Sequence, residues 1–234
     1  MEFIAHPEIF ARFPGIRIAI ASAEGLDNAT PRPQIEAAWR EAWAAAATAA
    51  APYGNAQSHP RIAPWRERFK AQGISGKEFP SSAEALLRRA LKGGEPFTIN
   101  PLVDWYNALS LRHFVPAGAF DLGQLAGPVE LRLTTEGDTF FALDAPEAIP
   151  VPAGEVAYTD GHTVITRHFI WRQSRAGLIS HETTHALLLS EILGEVGEAV
   201  ANAMLSDFLT GLRDYFGVNG RGAIIDADHS TFVY

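Results

Sequence analysis

Apolar and polar positions divide the chain into stretches of helical and of strand period. IRIAIAS (16–22) alternates and predicts a strand. A turn at residues 27–31 leads into a predicted helix at about 33–50, rich in alanine, with Trp39 and Trp43 one turn apart on one face. Pro52, Gly54 and Asn55 end it, and a second short helix follows His59 and Pro60, carrying Trp65, Arg66 and Phe69. Ser81 with Glu84 three residues on reads as a capping box, opening a helix through AEALLRRALK that Gly93 and Gly94 terminate. INPLVDWYNALSLRHFV (99–115) predicts a buried helix whose Asn100, Asp104 and Asn107 must find polar partners. From 128 to 170 the pattern turns to short alternating runs broken by Gly, Pro and Asp (VELRLTT, TFFALD, GEVAYTD, HTVITRHFIW), the strands of a largely antiparallel sheet. After the apolar run ALLLSEIL, Gly194 and Gly197 introduce a final helix at about 195–216, whose stripe of Val196, Val200, Ala203, Met204, Phe208 and Leu212 is core. The expectation is one α+β domain over 1–234, with the strand and helix of 1–58 and the helix of 195–217 as integral extensions.

Composition narrows the classes. The chain of 234 residues is 47% hydrophobic, enough to bury a core, and has no cysteine, which excludes disulfides, thiolate metal sites and a cysteine nucleophile. No run of about 18 apolar residues suggests a membrane span, and the opening MEFIAHPEIF lacks the basic and apolar regions of an export signal. The expectation is therefore a cytoplasmic protein. A net charge of −8 argues against a general nucleic-acid or DNA binder. The charge is uneven: residues 61–92 hold eight basic and three acidic side chains, and residues 181–234 hold eight acidic and two basic. Arg61, Arg66, Arg88, Arg89 and Lys92 are accordingly candidates to meet a phosphate backbone, against the plainer reading of solvated helix faces and cations suited to a helix C-terminus.

Residues 181–185 read HETTH, the H-E-x-x-H pattern of zinc hydrolases when it lies on a helix. A third ligand is then needed; Glu191, Glu195, Glu198 and His229 are available, but Leu188 stands where a following glycine would have to end the helix. Asp226, Asp228 and His229 also cluster, although a polar turn between two strands explains them.

The stretch INPLVDWYNALSLRHFVPAGAFDLGQLAGPVELRLTTEGDTFFALD (99–144) resembles the tRNA-editing module of the phenylalanyl-tRNA synthetase beta subunit, the B3/B4 domain, in its order of I-N-x-x-V-D, an Asn, then A-F-D-L. The resemblance covers roughly residues 60–195. HPRIAPWRERF, SSAEALLRRALKGG and WRQS make it similar to the freestanding editing-domain proteins in particular. It implies a layered β-β-α sandwich that receives the 3′ end of a misacylated tRNA and hydrolyses its ester without a cofactor, and no aminoacylation. It also implies site residues. Asn107 matches an editing-pocket Asn, Tyr106 stands where synthetases have Thr, and Gly118 stands where they have His. Trp171, Arg172, Gln173 and Ser174 replace a glycine-rich loop, the pocket carboxylate aligns near Leu189 or, with a short insertion, on the favoured Glu191, and His185 borders the pocket just before a strand. Asn107, Gln173 and Glu191 would act on the substrate, with Tyr106 and Trp171 as walls; the departures imply an amino acid other than tyrosine. In this frame HETTH is a turn running into a strand, where residues i and i+4 lie about 13 Å apart and share no zinc. A binding module for tRNA or an amino acid without chemistry, and a zinc hydrolase, are the alternative readings.

Overall fold

The computed structural model describes residues 1–234. The chain opens with strand β1 (Glu2–Ala5), helix α1 (Pro7–Arg12) and strand β2 (Arg17–Glu24). Helices α2 (Pro33–Ala50), α3 (Ala63–Ala71), α4 (Ser82–Leu91) and α5 (Pro101–His113) follow. Next come strands β3 (Gly118–Asp121), β4 (Val129–Leu133), β5 (Thr139–Phe140), β6 (Ile149–Pro150), β7 (Val156–Asp160), β8 (Thr163–Arg167), β9 (Arg172–Gln173) and β10 (His185–Ile192). Helix α6 (Glu198–Phe216) and strands β11 (Arg221–Ile225) and β12 (Thr231–Val233) complete it. No helix is long and apolar enough to cross a membrane.

The strands form two sheets. The larger runs β12-β1-β4-β7-β8-β5-β6, with β9 on β8; the smaller runs β11-β2-β10-β3. Both are antiparallel except at the β1–β4 and β5–β8 pairs. Strand β10 explains the layering. Leu187 and Leu189 enter one cluster with Phe3, Leu131, Tyr158 and Ile165 of the larger sheet, while Ala186, Leu188 and Ile192 pack on the other face with Trp105 of α5 and Met204 and Phe208 of α6. A strand covered on both faces reads as an unbroken apolar run, which is why ALLL shows no alternation. The architecture is thus α+β, a β-β-α sandwich.

Local chemistry fixes the helices that reach the middle layer. Asn100 caps α5 by accepting from the Val103 amide at 3.0 Å, and Asp104 accepts from the Ile99 amide at 2.9 Å. At its other end Phe114 takes a left-handed φ of 54°. Trp39 and Trp43 meet edge to face at 5.3 Å, each indole donating to a carbonyl of the segment after α4, Phe97 and Gly94 respectively. The capping box is only half made: Ser81 accepts from the Glu84 amide, but the Glu84 carboxylate turns away to Arg66 and Arg88 instead of back to Ser81. The run HTVITRHFIW is not one strand. It breaks after Arg167, where His168 and Phe169 take φ of 44° and 36° and reverse the chain into β9.

Candidate active site between the sheets and helix α5

A cavity of about 170 Å³ opens where the two sheets meet α5. Seven elements and one turn build it: Ser82 of α4, Tyr106 and Asn107 of α5, residues 118–120 of β3, Tyr158 of β7, Thr166 of β8, Phe169, Ile170 and Trp171 of the reversing turn, Gln173 of β9, and Leu189 and Glu191 of β10. Of the nine residues singled out for catalysis or substrate, six share this cavity: Tyr106, Asn107, Gly118, Trp171, Gln173 and Glu191.

Their polar groups are set for distinct jobs. Glu191 is 4% exposed and has one side-chain partner, the Tyr158 hydroxyl, which donates to Oε1 at 2.5 Å. Burial pushes the Glu191 carboxyl up to about 7, against the opposing pull of that hydrogen bond. Burial and the neighbouring carboxylate hold the Tyr158 phenol well above its ordinary range, so Tyr158 stays the donor. Gln173 spends its amide N–H groups on the carbonyls of Ala119 (3.1 Å) and Gly177 (3.2 Å), leaving Oε1 as an acceptor. Asn107, 8% exposed as a residue, lines the cavity, and its side-chain amide makes no hydrogen bond within the chain. Its two N–H donors and its carbonyl acceptor are therefore available to whatever enters the cavity. At Gly118 a Cβ would meet nothing within 4 Å, so the missing side chain leaves open space at the cavity edge.

Three expected substrate contacts fall elsewhere. Arg172 pairs with the exposed Asp144 at 2.5 Å. Ser174 is fully buried and donates to the Phe141 carbonyl at 2.9 Å, bracing the hairpin that contains β5. His185 shares the face of Glu191 on β10 but lies six residues away, about 20 Å along a strand, with its ring against Tyr234. Tyr158, Thr166 and the aromatic Phe169 were not anticipated. A signal for Tyr158 existed: a tyrosine inside the buried GEVAYTD strand needs a partner for its hydroxyl.

HETTH does not lie on a helix. His181 and Glu182 occupy a turn and His185 opens β10. Hydroxyls hold that turn: Ser180 Oγ accepts from the Glu182 amide, and Thr183 Oγ1 accepts from the Ser180 amide and donates to Asp121 at 2.7 Å. No three His, Asp or Glu side chains gather anywhere to share an ion. Asp226 instead accepts from the amides of Asp228 and His229, a turn between β11 and β12. EDTA is expected to leave the thermal midpoint unchanged, in the native chain and in His181→Ala and His185→Ala alike. A chelator-induced drop abolished by those substitutions would contradict this geometry.

The five candidate tRNA contacts are not equivalent. Arg66 grips the buried Glu84 with two hydrogen bonds of 2.8 and 2.6 Å, Arg88 adds a third at 2.5 Å, and Arg61 donates to the His113 carbonyl at 2.8 Å. All three are bonded to the protein's own acceptors, although the Arg88 side chain stays 45% exposed. Glu84 is 1% exposed, and a carboxylate taken out of water needs such partners. Arg89 lies exposed over the Phe97 ring and Lys92 projects beyond the end of α4, both free to meet solvent anions.

A two-sheet α+β domain with an amide-, carboxyl- and aromatic-lined cavity is therefore the class of molecule that the fold and site define. The family profile described as the B3/4 domain matches residues 65–202, and the chain belongs to that family. Among solved structures it is similar to the crystal structure of an N-terminal fragment of the phenylalanyl-tRNA synthetase beta-subunit from Pyrococcus horikoshii, at 10% identity and a TM-score of 0.46. That match covers 96% of this chain and 53% of the other, so the chain spans about half the length of that fragment. No curated protein matches.

Proposed function

We propose that the chain acts in trans as an aminoacyl-tRNA deacylase, hydrolysing the ester of a misacylated tRNA, and that all 234 residues form one editing unit. Membership of the B3/4 family supports a task on tRNA, and the cavity supports a small ester as the group acted on. The observation that carries the reading is the convergence of Asn107, Gln173 and Glu191, from α5, β9 and β10, on one partly enclosed space. An aminoacyl ester is already activated, so a held water and fixed donors and acceptors suffice without a nucleophile. Asn107 supplies N–H groups for the ester carbonyl or the terminal ribose. Glu191, poised near neutrality, takes a proton from the attacking water or accepts from the substrate's ammonium or hydroxyl. Gln173 adds a second fixed acceptor, and Tyr106 and Trp171 form walls. The experiment is a matrix of mischarged tRNAs incubated with the purified chain: loss of ester from particular mismatched pairs, with correct pairs spared, supports editing. Tight binding with every ester intact would make the chain a binding module instead.

The tRNA body is expected to meet Arg89 and Lys92, which are exposed and whose side chains make no hydrogen bond or ion pair within the chain. Replacing both by Ala should weaken tRNA binding and lower the slope of log K against log salt by about 0.7 to 0.9 per lost phosphate contact. An unchanged slope would return both cations to ordinary solvated positions.

A further inference from the structure

His168 is a buried titratable group that the proposed chemistry does not use. It is 8% exposed, and neither ring nitrogen has a hydrogen-bond partner. Aromatic rings surround it: Phe79 at 4.2 Å, Trp171 at 5.9 Å and Phe69 at 6.4 Å. Its backbone is left-handed, as is that of Phe169, although neither is glycine, and the Ile170 amide closes back on the His168 carbonyl. Adjacent non-glycine residues in that region are strained and persist only where their surroundings hold them. This turn carries Phe169, Ile170 and Trp171, three walls of the cavity.

Three charged groups face the ring. Glu155, in the loop before β7, accepts from the His168 amide at 2.8 Å and brings Oε2 to 3.7 Å from Nε2. Arg167 of β8 is held on the same carboxylate, with its guanidinium also 5.9 Å from the Trp171 ring. Glu78, after α3, adds a weaker negative field. The neutral imidazole therefore sits beside a carboxylate just beyond hydrogen-bond reach, and a protonated one has an acceptor about 1 Å away from bonding distance. Closing that gap displaces the ring relative to Phe79 and Trp171, which pack against it.

We propose that His168 is a proton-sensitive positioning residue for Trp171: proton uptake draws its ring to Glu155 and shifts the Trp171 wall, so that pH sets the shape of the cavity. The inference concerns the cavity's shape and holds whichever ligand the cavity takes. Burial lowers the His168 pKa below 6.5, with Arg167 acting in the same direction and the two glutamates against it, so the change falls on the acid side of the usual histidine range.

The test is acrylamide quenching of Trp171, read as the difference between the native chain and Trp171→Phe, between about pH 5 and 8. The expected result is a transition in accessibility with a midpoint below 6.5. It should be lost in His168→Asn, which tolerates the left-handed backbone, and in His168→Phe, which keeps the aromatic packing. If the Asn variant does not fold, the Phe variant decides. The transition should persist in Glu191→Gln, which separates it from the titration of that carboxyl. A flat profile, a transition surviving in the His168 variants, or its loss in Glu191→Gln would overturn the proposal. So would a change in brightness without a change in acrylamide access, since that is contact quenching by an imidazolium that has not moved.

Discussion

Replacing Glu191 by Gln is expected to make the protein more stable above neutral pH and to remove a pH dependence that the native chain shows. The carboxyl titrates at an ordinary 4.5 when unfolded and at about 7 when folded. A folded-state pKa above the unfolded one favours folding fully below 4.5, and that advantage is lost as pH rises through about 7. At about 1.4 kcal/mol per pKa unit, the native chain should give up as much as about 3 kcal/mol that Gln retains. Urea unfolding of both chains at pH 5 and pH 8 checks this, because His168 and the other groups contribute equally to each and cancel in the difference. Parallel pH dependence in the two chains would mean that Glu191 is not held in the dry contact with Tyr158.

Gly211→Ala is expected to destabilise the chain by about 3 kcal/mol, at the upper end of what overpacking a dense core costs. Gly211 sits on α6 where that helix crosses Trp105 of α5, and a Cβ there would lie 2.2 Å from the indole. Trp105 also packs against Phe208 and Phe216 and cannot swing aside without opening the helical layer. The adjoining Tyr106 and Asn107 line the cavity, so a displaced α5 should disturb the site as well as the core. The urea midpoint measures the effect. A variant as stable as the native chain would show that the helices separate at small cost.

How far the fold was legible depended on how local its determinants were. Helix α2 was readable from Pro33 and its alanine run, and α4 from its Ser81 cap, because propensity and capping act within a turn. The reversal at His168 and Phe169 was not: neither is a residue that ordinarily turns a chain, and tertiary packing imposes the conformation. The same divide runs through the site. Asn107 and Glu191 were legible through a family resemblance, while Tyr158 owes its position beside Glu191 to the stacking of one sheet on the other. The pairing of Arg66 and Arg88 with Glu84 was not legible, since Glu84 looks like the second half of a capping box. His185 misled because a strand carries a shared face over a long distance.

Ester cleavage in the cavity of Asn107, Gln173 and Glu191 makes Glu191 indispensable to the rate. The measurement that bears on it most directly is single-turnover release of the amino acid from a mischarged tRNA, by the native chain and Glu191→Gln side by side. The substitution keeps the shape and removes only the charge and the proton. The expected rate for Glu191→Gln is lower by about 10²-fold, roughly 2.7 kcal/mol of transition-state stabilisation, with tRNA binding and folding retained. Equal rates in the two chains would contradict it and place the chemistry elsewhere on the molecule.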